Sequence, residues 1–178
     1  MRIFSIDDSN PDYEIVNKIY QNTGDATNTG VEFLVSQDIT NTFKLSASFN
    51  GYENVIKEFE GTLLFPVERQ FTLAESNDIA WDAKITSEFV LPWEIAAQLT
   101  GVYFSNKNIP QGDQLARSSI DFGLKKNIWD KNGEITIAAT DVFNTFGIRQ
   151  EIVGNGFTSR YENYFETQVI RVGVKYKF

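Results

Sequence analysis

Apolar and polar residues alternate most strictly between Thr167 and Phe178. Ile170, Val172, Val174, Tyr176 and Phe178 fall on one face; Val169, Arg171, Gly173, Lys175 and Lys177 fall on the other. Period two predicts a strand with one apolar and one wet face. Terminal residues ordinarily fray, so a strand running to Phe178 must be held by a neighbour. A closed transmembrane barrel makes that demand, because lipid tolerates no unpaired edge. The last strand of a soluble sheet is the plainer alternative.

The same pattern recurs upstream. Residues 1–12 are polar and end in the turn signal Asn10-Pro11-Asp12. From Tyr13 to Tyr20, residues Tyr13, Ile15 and Ile19 share a face, with Asn17 interrupting; the spacing of Ile15 and Ile19 also suits a helix. Val31, Phe33 and Val35 alternate with Glu32, Leu34 and Ser36. Phe43, Leu45, Ala47 and Phe49 alternate with Lys44, Ser46, Ser48 and Asn50, which predicts a hairpin turning at 37–41. Further strands are predicted at Trp81–Phe89, Trp93–Tyr103, Ile120–Lys125 and Ile135–Ala139. Turns are expected at Val90-Leu91-Pro92 and at 127–133, where Asn132-Gly133 is a hairpin signal. Together these make about eight candidate strands, near the ~9–11 residues a tilted spanning strand needs.

The connections alternate in length. Those at 37–41, 90–92 and 127–133 are short, those at 21–29 and 106–115 are short-medium and medium, and those at 51–78 and 143–165 are long. Tight turns therefore fall at one end of the sheet and long loops at the other, as periplasmic turns and extracellular loops do in outer-membrane barrels. The 51–78 connection is acidic, with Glu53, Glu58, Glu60, Glu68, Glu75 and Asp78 against Lys57 and Arg69. It reads as a long loop, with a short strand possible within Thr62–Phe71. Trp81 and Phe89, then Trp93 and Tyr103, mark both ends of two strands, which suits an aromatic girdle at two lipid–water interfaces.

Composition narrows the function. The chain has 178 residues, no Cys and no His. That excludes disulfides, thiol catalysis and Ser-His-Asp chemistry. A net charge of -8 argues against a nucleic-acid partner. No catalytic residue, metal ligand set or cofactor motif stands out, and no enzymatic activity is expected. No run approaches the ~18–20 apolar residues of a membrane helix, but barrel strands escape that test because every second residue is polar. Residues 1–8 lack the apolar core of a signal peptide.

Several stretches resemble one family. They are Asn28-Thr29-Gly30-Val31-Glu32, Ala47-Ser48-Phe49-Asn50, Leu91-Pro92-Trp93 and Asn108-Ile109-Pro110-Gln111-Gly112, followed by Ser119 to Lys126, Asp141-Val142-Phe143-Asn144-Thr145 and Arg171 to Phe178. In order and spacing, the chain is similar to the C-terminal β-barrel portion of a Bacteroidetes-type TonB-dependent outer-membrane receptor. The resemblance implies an all-β, antiparallel up-and-down transmembrane barrel of about 22 strands with an N-terminal plug. It implies TonB-driven uptake of a large or scarce ligand. It also implies that the barrel-assembly machinery reads the last strand at Val172, Val174, Tyr176 and Phe178. Plug, TonB box and signal peptide have no counterpart here, so residues 1–178 are expected to be one part of such a barrel, embedded in outer-membrane lipid. The alternatives are a self-contained eight-stranded outer-membrane barrel and a soluble β-barrel or sandwich that binds a small ligand or glycan.

Other candidates carry weaker signals. Asp141 and Asn144 read as a strand-to-loop corner, where such side chains bond nearby backbone. Lys84, Lys125, Arg171 and Lys175, with Asp82, Glu88 and Asp121, read as the polar lining of a wet interior rather than as a ligand path. The ligand-binding residues are not identifiable from the sequence.

Overall fold

The computed structural model describes residues 2–7, 12, 15–20, 22, 24–64 and 68–178. Fifteen strands follow in chain order: β1 Arg2–Asp7, β2 Ile15–Tyr20, β3 Ala26–Thr40, β4 Phe43–Ile56, β5 Phe59–Leu63, β6 Arg69–Leu73, β7 Ser76–Leu91, β8 Ile95–Phe104, β9 Lys107–Ile109, β10 Gly112–Gln114, β11 Arg117–Ile128, β12 Gly133–Thr140, β13 Ile148–Gly154, β14 Phe157–Asn163 and β15 Val169–Tyr176. A 3-10 turn, Pro92–Glu94, joins β7 to β8.

Seven of these strands form one antiparallel sheet in the order β15-β12-β11-β8-β7-β4-β3. Its registers carry the alternation across the sheet. Val35, Ala47, Ile85, Gly101 and Ile120 lie in one row. Phe43, Phe89, Ala97, Leu124, Ile137 and Val172 lie in another on the same face. Ser46, Thr86, Thr100 and Asp121 make a row on the opposite face. Period two in each strand, kept in register, thus gives the sheet one apolar side and one polar side.

The remaining strands gather at the end of the sheet where the longer connections lie. Strands β14-β13-β10-β9 form a small sheet, β1 pairs with β2, and β5 pairs with β6. The carboxamide of Gln111 accepts from Phe4 N at 2.7 Å and donates to Phe4 O at 3.0 Å, tying β1 to the β9–β10 hairpin. The core sits here. Ile3 and Ile152 are 1% and 0% exposed, and Phe4, Ile56 and Leu63 are also buried.

The structure corrects several sequence expectations. Residues 1–12 are not simply a polar lead-in: β1 carries Ile3 and Phe4 into the core of this cap. Tyr13, Asn10 and Pro11 lie outside the described residues; Asp12 is in a turn. The 51–78 connection is not a structureless loop. Strand β4 runs on to Ile56, β5 and β6 form a hairpin, and β7 starts at Ser76. The connection after β12 likewise holds β13 and β14. The sheet has seven strands rather than about eight, because β2 pairs with β1 instead of joining it. Trp93 lies in the turn before β8, not in the strand. The turn after β11 occupies Trp129 to Asn132, with left-handed backbone at Trp129, Asp130 and Lys131. Gly133 opens β12 with the Trp129 ring against it, where a Cβ would lie 2.4 Å from a ring carbon.

Candidate functional site

The apolar side of the sheet is open. Phe33, Ile85 and Val172 are 65%, 52% and 69% exposed, and Leu99, Phe122, Ile137 and Ile170 are also exposed. A sheet folded for water would bury this side against a second layer. Here the alternate apolar side chains point away from the protein while the core lies in the cap. That arrangement suits hydrocarbon as the solvent of the apolar side.

Aromatic rings cluster at two levels. At the long-connection end, Trp81 stacks on Tyr103 with ring centres 4.8 Å apart and on Phe49 at 5.9 Å. Toward the short turns, Phe89 stacks on Phe43 at 4.7 Å, and Trp93 stands exposed in its turn with φ 63°. Trp129, which the sequence analysis did not single out, meets Tyr176 at 5.7 Å, and Tyr176 meets Phe178 at 5.1 Å. Its signal was available: an aromatic residue next to a predicted turn. Val172, Val174 and Tyr176 alternate outward along β15, and Phe178 follows just beyond it. Lys177 N donates to Asn132 O at 2.8 Å, so the chain end is held against the β11–β12 turn.

The polar side brings together the charged residues found in the sequence. The registers place Asp82, Lys84, Glu88, Asp121, Lys125, Arg171 and Lys175 on this one face. Lys125 pairs with Glu134 at 2.7 Å. Asp82 accepts from Asn50 Nδ2 at 3.2 Å. A concavity of about 900 Å³ follows the sheet across β4, β7, β8, β11 and β12, with Lys44, Glu88, Asp121 and Lys125 in its lining.

Two polar clasps fasten the cap to the sheet. Asn108 of β9 donates through N to Asp78 Oδ2 at 3.1 Å and through Nδ2 to Ser76 Oγ at 2.7 Å. Asn54 Nδ2 donates to Asn108 O at 3.2 Å, and the two carboxamides also bond each other. Both asparagines are buried. A pair 54 residues apart leaves no local pattern, so the sequence could not reveal it.

The second clasp is Asp141, 2% exposed. Its carboxylate accepts from Thr145 N at 2.9 Å, Phe146 N at 3.2 Å and Thr167 Oγ1 at 2.6 Å. Its own N donates to Asp121 Oδ1 at 2.8 Å. Asp141 and Asn144 both adopt left-handed backbone, which Asp and Asn tolerate best after Gly. The corner expected from the sequence is therefore present, and it joins the start of the β12–β15 connection to its return at Thr167. Burial pushes the Asp141 carboxyl toward its neutral form. The Thr167 hydroxyl and the Thr145 and Phe146 amides together outweigh burial and hold it below the usual carboxylate range.

No curated protein and no solved structure matches the chain. A model of the outer membrane protein beta-barrel family matches residues 2–176. With an antiparallel sheet, an open apolar side and a polar opposite side, the chain belongs to the outer membrane protein beta-barrel family and resides in the outer membrane.

Proposed function

We propose that the chain is a barrel segment of a TonB-dependent receptor that takes up a large or scarce ligand, and that it has no enzymatic role. The observation that carries this reading is strand parity. Seven strands alternate in direction, so β3 and β15, the two edges, run the same way. Antiparallel closure of β3 on β15 is then impossible, and outer-membrane barrels have an even strand number in single-chain bacterial examples. Antiparallel closure needs at least one further strand, and a larger receptor barrel supplies it. A self-contained eight-stranded barrel meets the same parity with one added strand, and β2, the segment read as that strand from the sequence, pairs with β1.

In this reading the apolar side meets lipid, and the rings of Trp81, Phe89, Trp93 and Tyr103 sit at its two boundaries. The polar side faces the lumen, and the long-connection end faces outward, where its cap takes part in ligand capture. Val172, Val174, Tyr176 and Phe178 form the signal read by the barrel-assembly machinery, and TonB acts through a plug encoded upstream. Immunoblotting of native outer membranes with an antibody to residues 1–178 tests this. The receptor reading expects a species far heavier than the 20.2 kDa of this chain, and TonB-dependent uptake by the cells that carry it. A 20 kDa species, or uptake that survives deletion of TonB, defeats it.

A further inference from the structure

Three segments far apart in sequence enclose a cavity of about 430 Å³ in the cap: β1, β6 and the β13–β14 turn. That volume lies in the range of small-molecule sites. Three rings line it, Phe4, Phe71 and Phe157. Two of them rest on glycines directly across the strand pair. Phe71 faces Gly61, where a Cβ would come within 3.0 Å of the ring; Phe157 faces Gly154, where it would come within 2.0 Å. No larger residue could stand at either glycine without displacing the ring above it. The absent Cβ at each glycine leaves the space that the ring occupies.

The polar part of the lining is neutral. Asn155 and Ser5 contribute amide and hydroxyl groups, Gln70 and Thr72 alternate with Phe71 and so carry their side chains on the other face of the hairpin, and the Gln111 amide is already used by Phe4. The chain carries 24 Asp and Glu, yet none lies among the described lining residues. Arg69 is the one charge among the described lining residues, and it is engaged in an interaction of its own. Aromatic walls favour a flat apolar body, neutral amides and hydroxyls favour a polar edge that can donate and accept, and the lack of a carboxylate gives a cation no counter-charge.

We propose that this cavity is a binding site for a neutral molecule with an aromatic or similarly flat apolar body and amide or hydroxyl groups along one edge. Its role in uptake rests on the receptor reading above; the binding itself does not. The test uses the full-length gene product in lipid nanodiscs, with N-acetyl-tryptophanamide as the neutral probe and tryptamine as its cationic counterpart. Equilibrium dialysis against empty nanodiscs removes partition into lipid.

The neutral probe should bind at least tenfold more tightly than tryptamine, and Phe71→Ala should weaken it about tenfold, roughly the worth of one aromatic wall. Asn155→Trp, at an exposed turn position of the lining, should block binding while leaving the cap core intact, which covers the case in which Phe71→Ala fails to fold. Binding that neither variant alters, or equal binding of tryptamine, overturns the proposal whatever happens to uptake. Probe binding that obeys these expectations in a protein whose uptake ignores TonB sinks the receptor reading alone.

Discussion

The sheet and the cap use apolar residues in opposite ways. In the cap, Ile3, Phe4, Leu63 and Ile152 are withdrawn from solvent, as in a water-soluble domain. In β7 and β8 the buried apolar residues are alanines, Ala80 and Ala97, while the large aliphatics stand outward. One chain is therefore built for two solvents. Hydrophobicity alone does not tell an inside from an outside; what decides is whether a second layer covers the face. The cap strands cover one another, and lipid covers the sheet.

That contrast can be broken at single residues. The largest effect is expected at Ile152, fully buried in β13. Ile152→Ala should cost about 2–5 kcal/mol, the usual range for truncating a packed aliphatic. The loss should be local: amide protection should fall in β10, β13 and β14 and persist in β7 and β8. Uniform loss across both regions would mean that cap and sheet unfold together.

Next come two neighbours on β7 with opposite outlooks. Ile85→Arg puts a charge on the apolar side in mid-strand and should cost about 2–4 kcal/mol in a bilayer. Thr86→Arg, on the polar side, loses a 3.3 Å contact with Thr100 and should cost under about 1 kcal/mol. Urea titration in matched vesicles reads both, and equal effects would mean that both faces meet the same medium.

A smaller effect is expected at the joint between the regions. Asp141→Asn keeps the shape but weakens the charge-assisted bonds from Thr167, Thr145 and Phe146, which should cost about 1–3 kcal/mol. Because the folded carboxyl titrates below its unfolded value, its stabilisation is full above the ordinary carboxylate range. It is lost as pH falls through the depressed folded value. The wild type should thus lose more stability than Asp141→Asn on acidification, measured by thermal melting of the β12–β15 connection.

The sheet was legible in the sequence because each of its strands has one face in each medium, which prints period two on the residues. Strands β4, β7 and β8 lie where that alternation put them, although β4 and β7 run further into the 51–78 connection than it suggested. The cap was not legible. Strand β1 places Ile3 and Phe4, adjacent residues, both in the core, so period two is erased. Strands β9 and β10 have three residues each, too few for any period to appear. The Asp141 corner was readable from residue type, since Asp accepts from nearby backbone; the reach of that carboxylate to Thr167 was not. The Asn54–Asn108 clasp and the walls of the cap cavity depend on contacts between segments far apart in sequence, which a local pattern does not record.

Strand β3 borders the sheet over Ala26–Thr40 and, besides outward Val31, Phe33 and Val35, carries Leu34 on the other face, 74% exposed. One row of its backbone amides and carbonyls meets no strand among the described residues. In water, such a greasy fifteen-residue margin is a template on which a second copy can add in register and start a fibril. Whatever escorts this polypeptide before insertion must therefore shield that margin first, and refolding should begin with amphiphile present rather than added afterwards.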